Sequence, residues 1–347
     1  MRRKIIIPHN KPTLGAREML AVDRVINSGW VAQGREVLNF ESEISEFLNI
    51  NYGHTVLVSS GTAALFLALW VLRSKGGRVG VPVYSCSALR NAIKMSGAIP
   101  VYLDCLGESP NLDVNSNQLS NIDFLIAPSM YGIPINFNNF NNFNNFKVIE
   151  DLAQAFGAKE NGIPIGLRGE LGITSFYATK LITTGGQGGA IFSHNKNLID
   201  EIRDYREFDN RRDKKNRFNF QMTDIQAAIG REQLKQFGIF REKRESIFMS
   251  YKDAGLDMLD SQDSAYFPVR YRAVVRSKQP GKVINQLKIN GIKAIVPVEK
   301  GELLDSPDNY KNAKRLSDET VSLPIYPSLD RLVVKKIHKI VSKITLK

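Results

Sequence analysis

Seven short apolar runs fall between residues 55 and 193: Thr55–Val58, Arg78–Val83, Ile99–Leu103, Phe124–Ala127, Lys147–Glu150, Ile173–Tyr177 and Ala190–Ser193. Their apolar character is continuous rather than alternating, as strands covered on both faces require, so a mostly parallel sheet between helices is expected. After the first run, Ser59-Ser60-Gly61-Thr62 makes a turn, and Ala63 to Leu72 is apolar nearly all round, a pattern for a buried helix. With 43% hydrophobic and 24% charged residues over 347 positions, global disorder is excluded and two domains are the expectation. No apolar run reaches the roughly 18 residues of a membrane span.

The first 50 residues read as two helices. Met19, Val22, Val25 and Ile26 share one face, and Val37, Phe40, Ile44, Phe47 and Leu48 another, with a loop through Ser28-Gly29-Trp30 and Gln33-Gly34. The large unit is expected to span residues 1–236, its last helix opened by a capping box of Thr223 and Gln226. A smaller α/β unit then covers 237–347, with strands over 265–276 and 292–296 and a helix over 280–288. Its terminal helix packs through Val333, Val334, Ile337, Ile340, Val341 and Ile344.

The Asn/Phe repeat from Asn136 to Phe146 has a period of three, which fits neither helix nor strand. No Lys or Arg interleaves with it, so it reads as a surface connection with some phenylalanines turned inward rather than a base-stacking platform. Two cysteines, Cys86 and Cys105, are too few for a disulfide framework, and no Cys/His cluster suggests zinc. The start has only three apolar residues before Pro8, which is no secretory signal, so a cytoplasmic protein is expected. The charge of +12 suits nucleic acid or small phosphorylated ligands, and no nucleic-acid motif appears. Arg203, Arg206, Arg211, Arg212, Lys214, Lys215 and Arg217 form a basic run that reads first as a solvated face. A sharper reading has it hold a diphosphate at the mouth of a site.

The chemistry concentrates where strands end. Val148-Ile149-Glu150-Asp151 finishes on two carboxylates, at the edge where open α/β sheets bind ligands. Twenty-nine residues after Asp151, the stretch Ser175-Phe176-Tyr177-Ala178-Thr179-Lys180 ends on a lysine, followed by the glycine loop Gly185-Gly186-Gln187-Gly188-Gly189. A lysine to attach the cofactor and a carboxylate to keep a ring nitrogen protonated are what pyridoxal phosphate requires. Gly61, Thr62 and Ala63 open a buried helix directly after a strand, where free amides and the helix dipole favour an anion.

With these surroundings the chain resembles the DegT/StrS family of pyridoxal-phosphate-dependent nucleotide-sugar aminotransferases. The matching stretches are Pro12-Thr13-Leu14-Gly15, Ser60-Gly61-Thr62-Ala63-Ala64, Glu150-Asp151-Ala153-Gln154, Ser175 to Lys180, Gly188-Gly189-Ala190, Asp224 to Ala228 and Ser322 to Pro327. The resemblance implies fold type I of the pyridoxal-phosphate-dependent transferases, with a seven-stranded sheet in the large domain. It implies that Lys180 would hold the cofactor and carry the proton, and that Asp151 would pair with the pyridinium nitrogen. Gln154 would lie near the ring's 3-hydroxyl, and Ser175 with Gly61, Thr62 and Ala63 would bind the phosphate.

Asn219 would reach the phosphate of a neighbouring subunit, which implies a homodimer with shared sites. The family's arginine two residues further on is Gln221 here, its ring-stacking aromatic is Cys86, and a histidine many relatives carry near Ile295–Val298 is missing. The implied reaction moves an amino group from an amino acid, glutamate by the resemblance, to a keto group of a nucleotide-linked deoxysugar for polysaccharide or glycoconjugate biosynthesis. Two other readings stand beside it: a dehydratase of the same fold using pyridoxamine phosphate, against which Lys180 speaks, and a regulatory or binding relative, against which the Asp151–Lys180 pair speaks.

Overall fold

The computed structural model describes residues 6–113, 117–137, 145–209, 211–261 and 263–345. Helices α1 (Ala16–Asn27) and α2 (Arg35–Phe47) precede β1 (Thr55–Val58), α3 (Gly61–Val71), β2 (Arg78–Pro82), α4 (Ser87–Met95) and β3 (Ile99–Leu103). Strands β4 (Phe124–Pro128), β5 (Lys147–Asp151), β6 (Lys159–Glu160), β7 (Ile163–Pro164), β8 (Leu171–Ser175) and β9 (Gly189–Phe192) follow. The chain continues through α5 (Lys196–Arg206), α6 (Asp224–Lys235), α7 (Phe237–Asp253), β10 (Tyr266–Phe267) and β11 (Ala273–Arg276). It ends with α8 (Pro280–Ile289), α9 (Lys311–Glu319), β12 (Thr320–Leu323) and α10 (Arg331–Thr345).

The main sheet has seven strands in the order β1-β9-β8-β5-β4-β2-β3. The pairs β2–β3, β2–β4, β4–β5 and β5–β8 are parallel, and β9 runs antiparallel to both β1 and β8. Six strands therefore present their carboxyl ends at one edge. The sheet is covered on both sides, as its continuous apolar strands demand. Leu65, Leu67, Leu69, Ile93 and Ile199 pack with one set of strand residues, and Val37, Phe40, Ile44, Phe156 and Phe176 with the other. A separate cluster (Phe248, Tyr251, Val275, Leu287, Val321, Ile337) joins α7, α8 and α10 to the two-stranded sheet of β11 and β12.

Several expectations are corrected here. The stretch 265–276 is not one strand. Tyr266–Phe267 pairs with β6, Ala273–Arg276 pairs with β12, and between them Arg270 takes a left-handed φ of 49°. Residues 292–296 make only isolated bridges, Ile292 with Ile7 and Ile295 with Ser322. In α1 the buried residues are Glu18, Ala21 and Val25, while Met19 and Ile26 are exposed. Arg206 of the basic run is no solvated side chain: it is fully buried, and its Nη1 donates to Glu41 Oε1 at 2.6 Å and to the Leu57 carbonyl at 2.7 Å. Within the Asn/Phe repeat, Phe137 and Phe146 are buried, and residues 138–144 lie outside the described residues.

The segment before α1 ties the C-terminal part of the chain to the loop after β8. Ile7 exchanges backbone hydrogen bonds with Gly291 and Lys293, His9 Nε2 lies 2.8 Å from Ser322 Oγ, and Asn10 Nδ2 donates to the Thr179 carbonyl at 2.9 Å. Burial, and then the charges of Arg272 and Lys293, push the His9 imidazole down to about 3. The folded protein thus holds it neutral where the unfolded chain, with an ordinary histidine, takes up a proton. Below about pH 6.5 the unfolded state binds more protons, and stability falls as pH falls. Urea unfolding at pH 7.5 and pH 5 is expected to show a loss about 1–2 kcal/mol larger for the natural protein than for His9→Gln. Equal losses in both would exclude the imidazole as the source.

Candidate active site

Because six strands share a direction, the residues just past their carboxyl ends converge, and a cavity of about 350 Å³ opens there. Gly61 and Thr62 reach it after β1, Cys86 after β2, Asp151 and Gln154 at the end of β5, and Ser175 and Lys180 at the end of β8. Tyr271 and Arg272, from the turn between β10 and β11, also line it.

The two adjacent carboxylates of β5 have different fates, since neighbouring strand residues point to opposite faces. Glu150 is consumed by structure: the amides of Gly166, Arg168 and Gly169 donate to its two oxygens at 2.6–3.0 Å. Asp151 is equally buried, yet only Oδ1 is taken, by the Ala153 amide at 2.8 Å. Oδ2 accepts no hydrogen bond from a described residue. Burial raises the Asp151 carboxyl above its usual range, against the opposing pull of the Ala153 amide and the Lys180 charge. An uncommitted carboxylate oxygen in a cavity fits a cationic N–H donor on a ligand.

Lys180 follows a tight turn in which its own amide donates to the Tyr177 carbonyl at 2.9 Å, and its Nζ lies 5.2 Å from the centre of the Tyr271 ring. Burial alone would push the Tyr271 phenol up. The cations Lys180, Arg272 and Arg244 and a hydrogen bond with Thr179 outweigh it, and the phenol lies below its ordinary value.

At the opposite end, α3 begins directly against β8. A Cβ on Gly61 would stand 2.7 Å from Ser175 Cβ and 2.9 Å from Ser175 Oγ, so only glycine permits this approach. The result is a cradle of one hydroxyl and the first amides of a buried helix, a donor set suited to a phosphate. Phosphate cradle, free carboxylate oxygen and lysine together fit pyridoxal phosphate.

Not every predicted residue comes to the cavity. Ala63 is not part of its lining, and its amide is taken by Ser60 Oγ at 3.1 Å as a helix cap. Asn219 is exposed and outside the lining, its Oδ1 accepting the Gln221 amide. Gln154 is present, but its Oε1 is engaged by the Tyr131 amide at 2.9 Å. Cys86 is exposed at the start of α4.

Most of the basic run is paired internally: Arg203 with Asp200 and Glu41, Arg211 with Glu207 and Asp204, and Arg217 with Asp204 and Asp213. Arg212, Lys214 and Lys215 have no ion pair with a described residue. Tyr271 and Arg272 escaped the sequence reading, because a strand expected over 265–276 hides the turn that delivers them.

Comparison with known proteins shows what this chain is similar to. The chain is 32% identical over 259 residues to GDP-perosamine synthase of Escherichia coli O157:H7, which covers 71% of this chain and 70% of that protein. Its fold matches the aminotransferase TlmJ of Streptoalloteichus hindustanus with a TM-score of 0.90 at 23% identity, over 97% of this chain and 98% of the other. It also matches the putative sugar aminotransferase Spr1654 of Streptococcus pneumoniae in its PMP form, with a TM-score of 0.89 at 21% identity, over 98% and 99%. The sequence pattern of the DegT/DnrJ/EryC1/StrS aminotransferase family extends over residues 12–344, and the chain belongs to that family of pyridoxal-phosphate-dependent enzymes.

Proposed function

We propose that this protein transfers an amino group from an amino acid, glutamate by family resemblance, to a keto group of a nucleotide-linked deoxysugar, as a cytoplasmic enzyme of polysaccharide or glycoconjugate biosynthesis. The observation that carries the reading is the meeting of Asp151, Lys180 and the Gly61–Ser175 cradle in one cavity. The similarity to a GDP-perosamine synthase supports the substrate class. Among the described residues no helix is long and apolar enough to cross a membrane.

When bound, the cofactor supplies a ring that accepts electrons from the substrate carbon. Everything else falls to side chains. Asp151 would hold the ring nitrogen through Oδ2 and keep its proton in place. Gly61, Thr62 and Ser175 would hold the phosphate, and Cys86, in the same lining, would stand beside the ring. The Lys180 amine would anchor the ring and, in each half of the cycle, act first as base and then as acid, moving one proton between the substrate carbon and the cofactor carbon, which gives ping-pong kinetics.

Residues 1–236 are read as the unit that holds the cofactor, and residues 237–347 as the unit that delivers Tyr271 and Arg272. Lys180→Ala is expected to lower turnover by at least about 10³-fold and to abolish the visible absorbance of bound cofactor. Asp151→Asn should retain the phosphate contact yet lose most of the rate. Retained transamination by Lys180→Ala would overturn the assignment.

The active unit is proposed to be a homodimer whose Asn219 completes the partner's phosphate site. Two features support this. Asn219 lies outside the cavity of its own chain. Leu14, Met19, Leu20, Ile26, Trp30 and Val31 leave an apolar surface on and beside α1, each 46–68% exposed. Mixing two inactive variants, Lys180→Ala and Asn219→Asp, and letting subunits exchange should restore about a quarter of natural activity, since half the dimers are hybrids with one intact site. No recovery in a mixture shown to contain hybrids would place Asn219 outside the shared site.

A further inference from the structure

Helix α10 has two chemically opposite sides. Val334, Ile337 and Val341 are buried in the cluster shared with α7 and α8. The outward side carries Leu332, Lys335, Lys336, Lys339 and Lys343, all exposed and spaced three or four positions apart, so they form one stripe. No Asp or Glu occurs from Arg331 to Lys347, and none from Pro280 to Val298, a stretch that includes α8. Lys336 Nζ donates to the Asn290 carbonyl at 3.3 Å, so the end of α8, with Lys288 and Ile289, lies beside the stripe. Asp330, the acid next in sequence, is spent as a cap: its Oδ1 accepts the Leu332 and Val333 amides at 2.7 and 3.3 Å.

Surface lysines elsewhere in the chain are interleaved with acids: Lys196 pairs with Asp200, Lys235 with Glu232 and Lys314 with Asp308. Lys288, Lys335, Lys336, Lys339 and Lys343 have no ion pair with a described residue. The His338 imidazole lies within their field: burial, and then the charges of Lys339 and Lys335, hold it below its ordinary value. The charge of this face is therefore left to be met from outside the chain.

We propose that the outer face of α10, with the end of α8, rests on a bilayer surface bearing anionic lipid headgroups and holds the protein there peripherally. Four lysines on one helix face suffice for an electrostatic hold on such a surface. Leu332 and Ile289, 74% and 54% exposed among these lysines, select a lipid surface over another polyanion. Apolar side chains enter the acyl boundary, where lysine stems also lie while their ammonium groups stay with the headgroups. A nucleic-acid backbone offers no such apolar phase. Neither α8 nor α10 carries an aromatic ring for base stacking, and Arg331 is their one arginine for paired phosphate contacts. None of these side chains lines the cavity past the strand ends, so binding here leaves the chemistry there untouched.

Cosedimentation of the holoenzyme with vesicles tests the assignment. The natural protein is expected to pellet at about 0.1 M salt with phosphatidylcholine vesicles containing about 30% phosphatidylglycerol, but not with phosphatidylcholine alone, and to be released at about 0.5 M salt. Replacing Lys335, Lys336, Lys339 and Lys343 together by Gln should weaken binding at least about 100-fold and leave turnover unchanged. The single changes Lys339→Gln and Leu332→Ser, each expected to weaken it about fivefold, decide the question without risk to the fold. Replacing Arg212, Lys214 and Lys215 by Gln removes a similar charge from another surface and should change binding less than about twofold. Undiminished binding in the lysine and Leu332 variants, an equal loss in the Arg212 variant, or tighter binding to duplex DNA than to the anionic vesicles overturns the proposal.

Discussion

A carboxylate taken out of water has to be compensated from within the protein, and at Asp151 that compensation is incomplete. The Ala153 amide and the Lys180 charge act on it, yet burial still holds the carboxyl above its usual range. Burial raises the Glu150 carboxyl as well, one residue earlier, and what separates the two is that Glu150 has three amides on its two oxygens where Asp151 has one. The same strand thus carries one acid spent on architecture and one left a donor short. That shortfall is where a ligand's cationic N–H gains most, since a charge-assisted bond in a buried place is stronger than its solvated counterpart. The parallel strand directions, the glycine at 61 and the turn before Lys180 bring the other two anchor points to the same edge.

Tyr131 connects the parts. Its φ of 61° is left-handed, a conformation that costs a residue with a side chain on the order of 1 kcal/mol. In return its amide meets Gln154 Oε1, its carbonyl accepts from Tyr271 and Arg272, and its hydroxyl lies 2.6 Å from that of Tyr84. Gly132 beside it permits the close approach, because a Cβ there would stand 3.0 Å from the amides of Arg270 and Tyr271. One turn therefore couples the end of β5 to the two residues that close the cavity from the C-terminal part of the chain. Arg244, buried and with no carboxylate partner among the described residues, braces the same turn through the carbonyls of Arg270, Tyr271 and Ile325.

How much of this is legible in the sequence depends on range. The sheet is legible because each strand is a continuous apolar run, a local signal that burial on both faces imposes. Asp151 and Lys180 are legible because they end such runs. Arg206 is not: its partner Glu41 lies 165 positions away, and no local pattern separates a buried strut from the solvated arginines around it. In α1 an apolar stripe suggests burial of Met19 and Ile26. The packed face is instead Glu18, Ala21 and Val25, with Glu18 Oε1 accepting from Gln233 of α6 and from Gln236 at the junction of α6 and α7. Tyr271 and Arg272 are invisible for a related reason. The residues on either side favour a strand, and the break at Arg270 is set by Tyr131 and Gly132, far away in sequence.

Cys86 bears on how a flat ring is held. Tyr84, two residues earlier, is fully buried and turned toward Tyr131, so it offers no ring to the cavity, and Cys86 presents a sulfur where an aromatic would present a broad face. Stacking supplies contact area but little preference for orientation within the ring's own plane. In the proposed reading the Asp151 carboxylate, the Gly61–Ser175 cradle and Lys180 would act on the perimeter instead, and three fixed points on a perimeter determine that orientation. On that reading, loss of the stacking face would weaken retention of the ring without disturbing the direction in which its reactive carbon meets Lys180. Alignment with the bond to be broken, rather than affinity alone, is what transfers a proton efficiently.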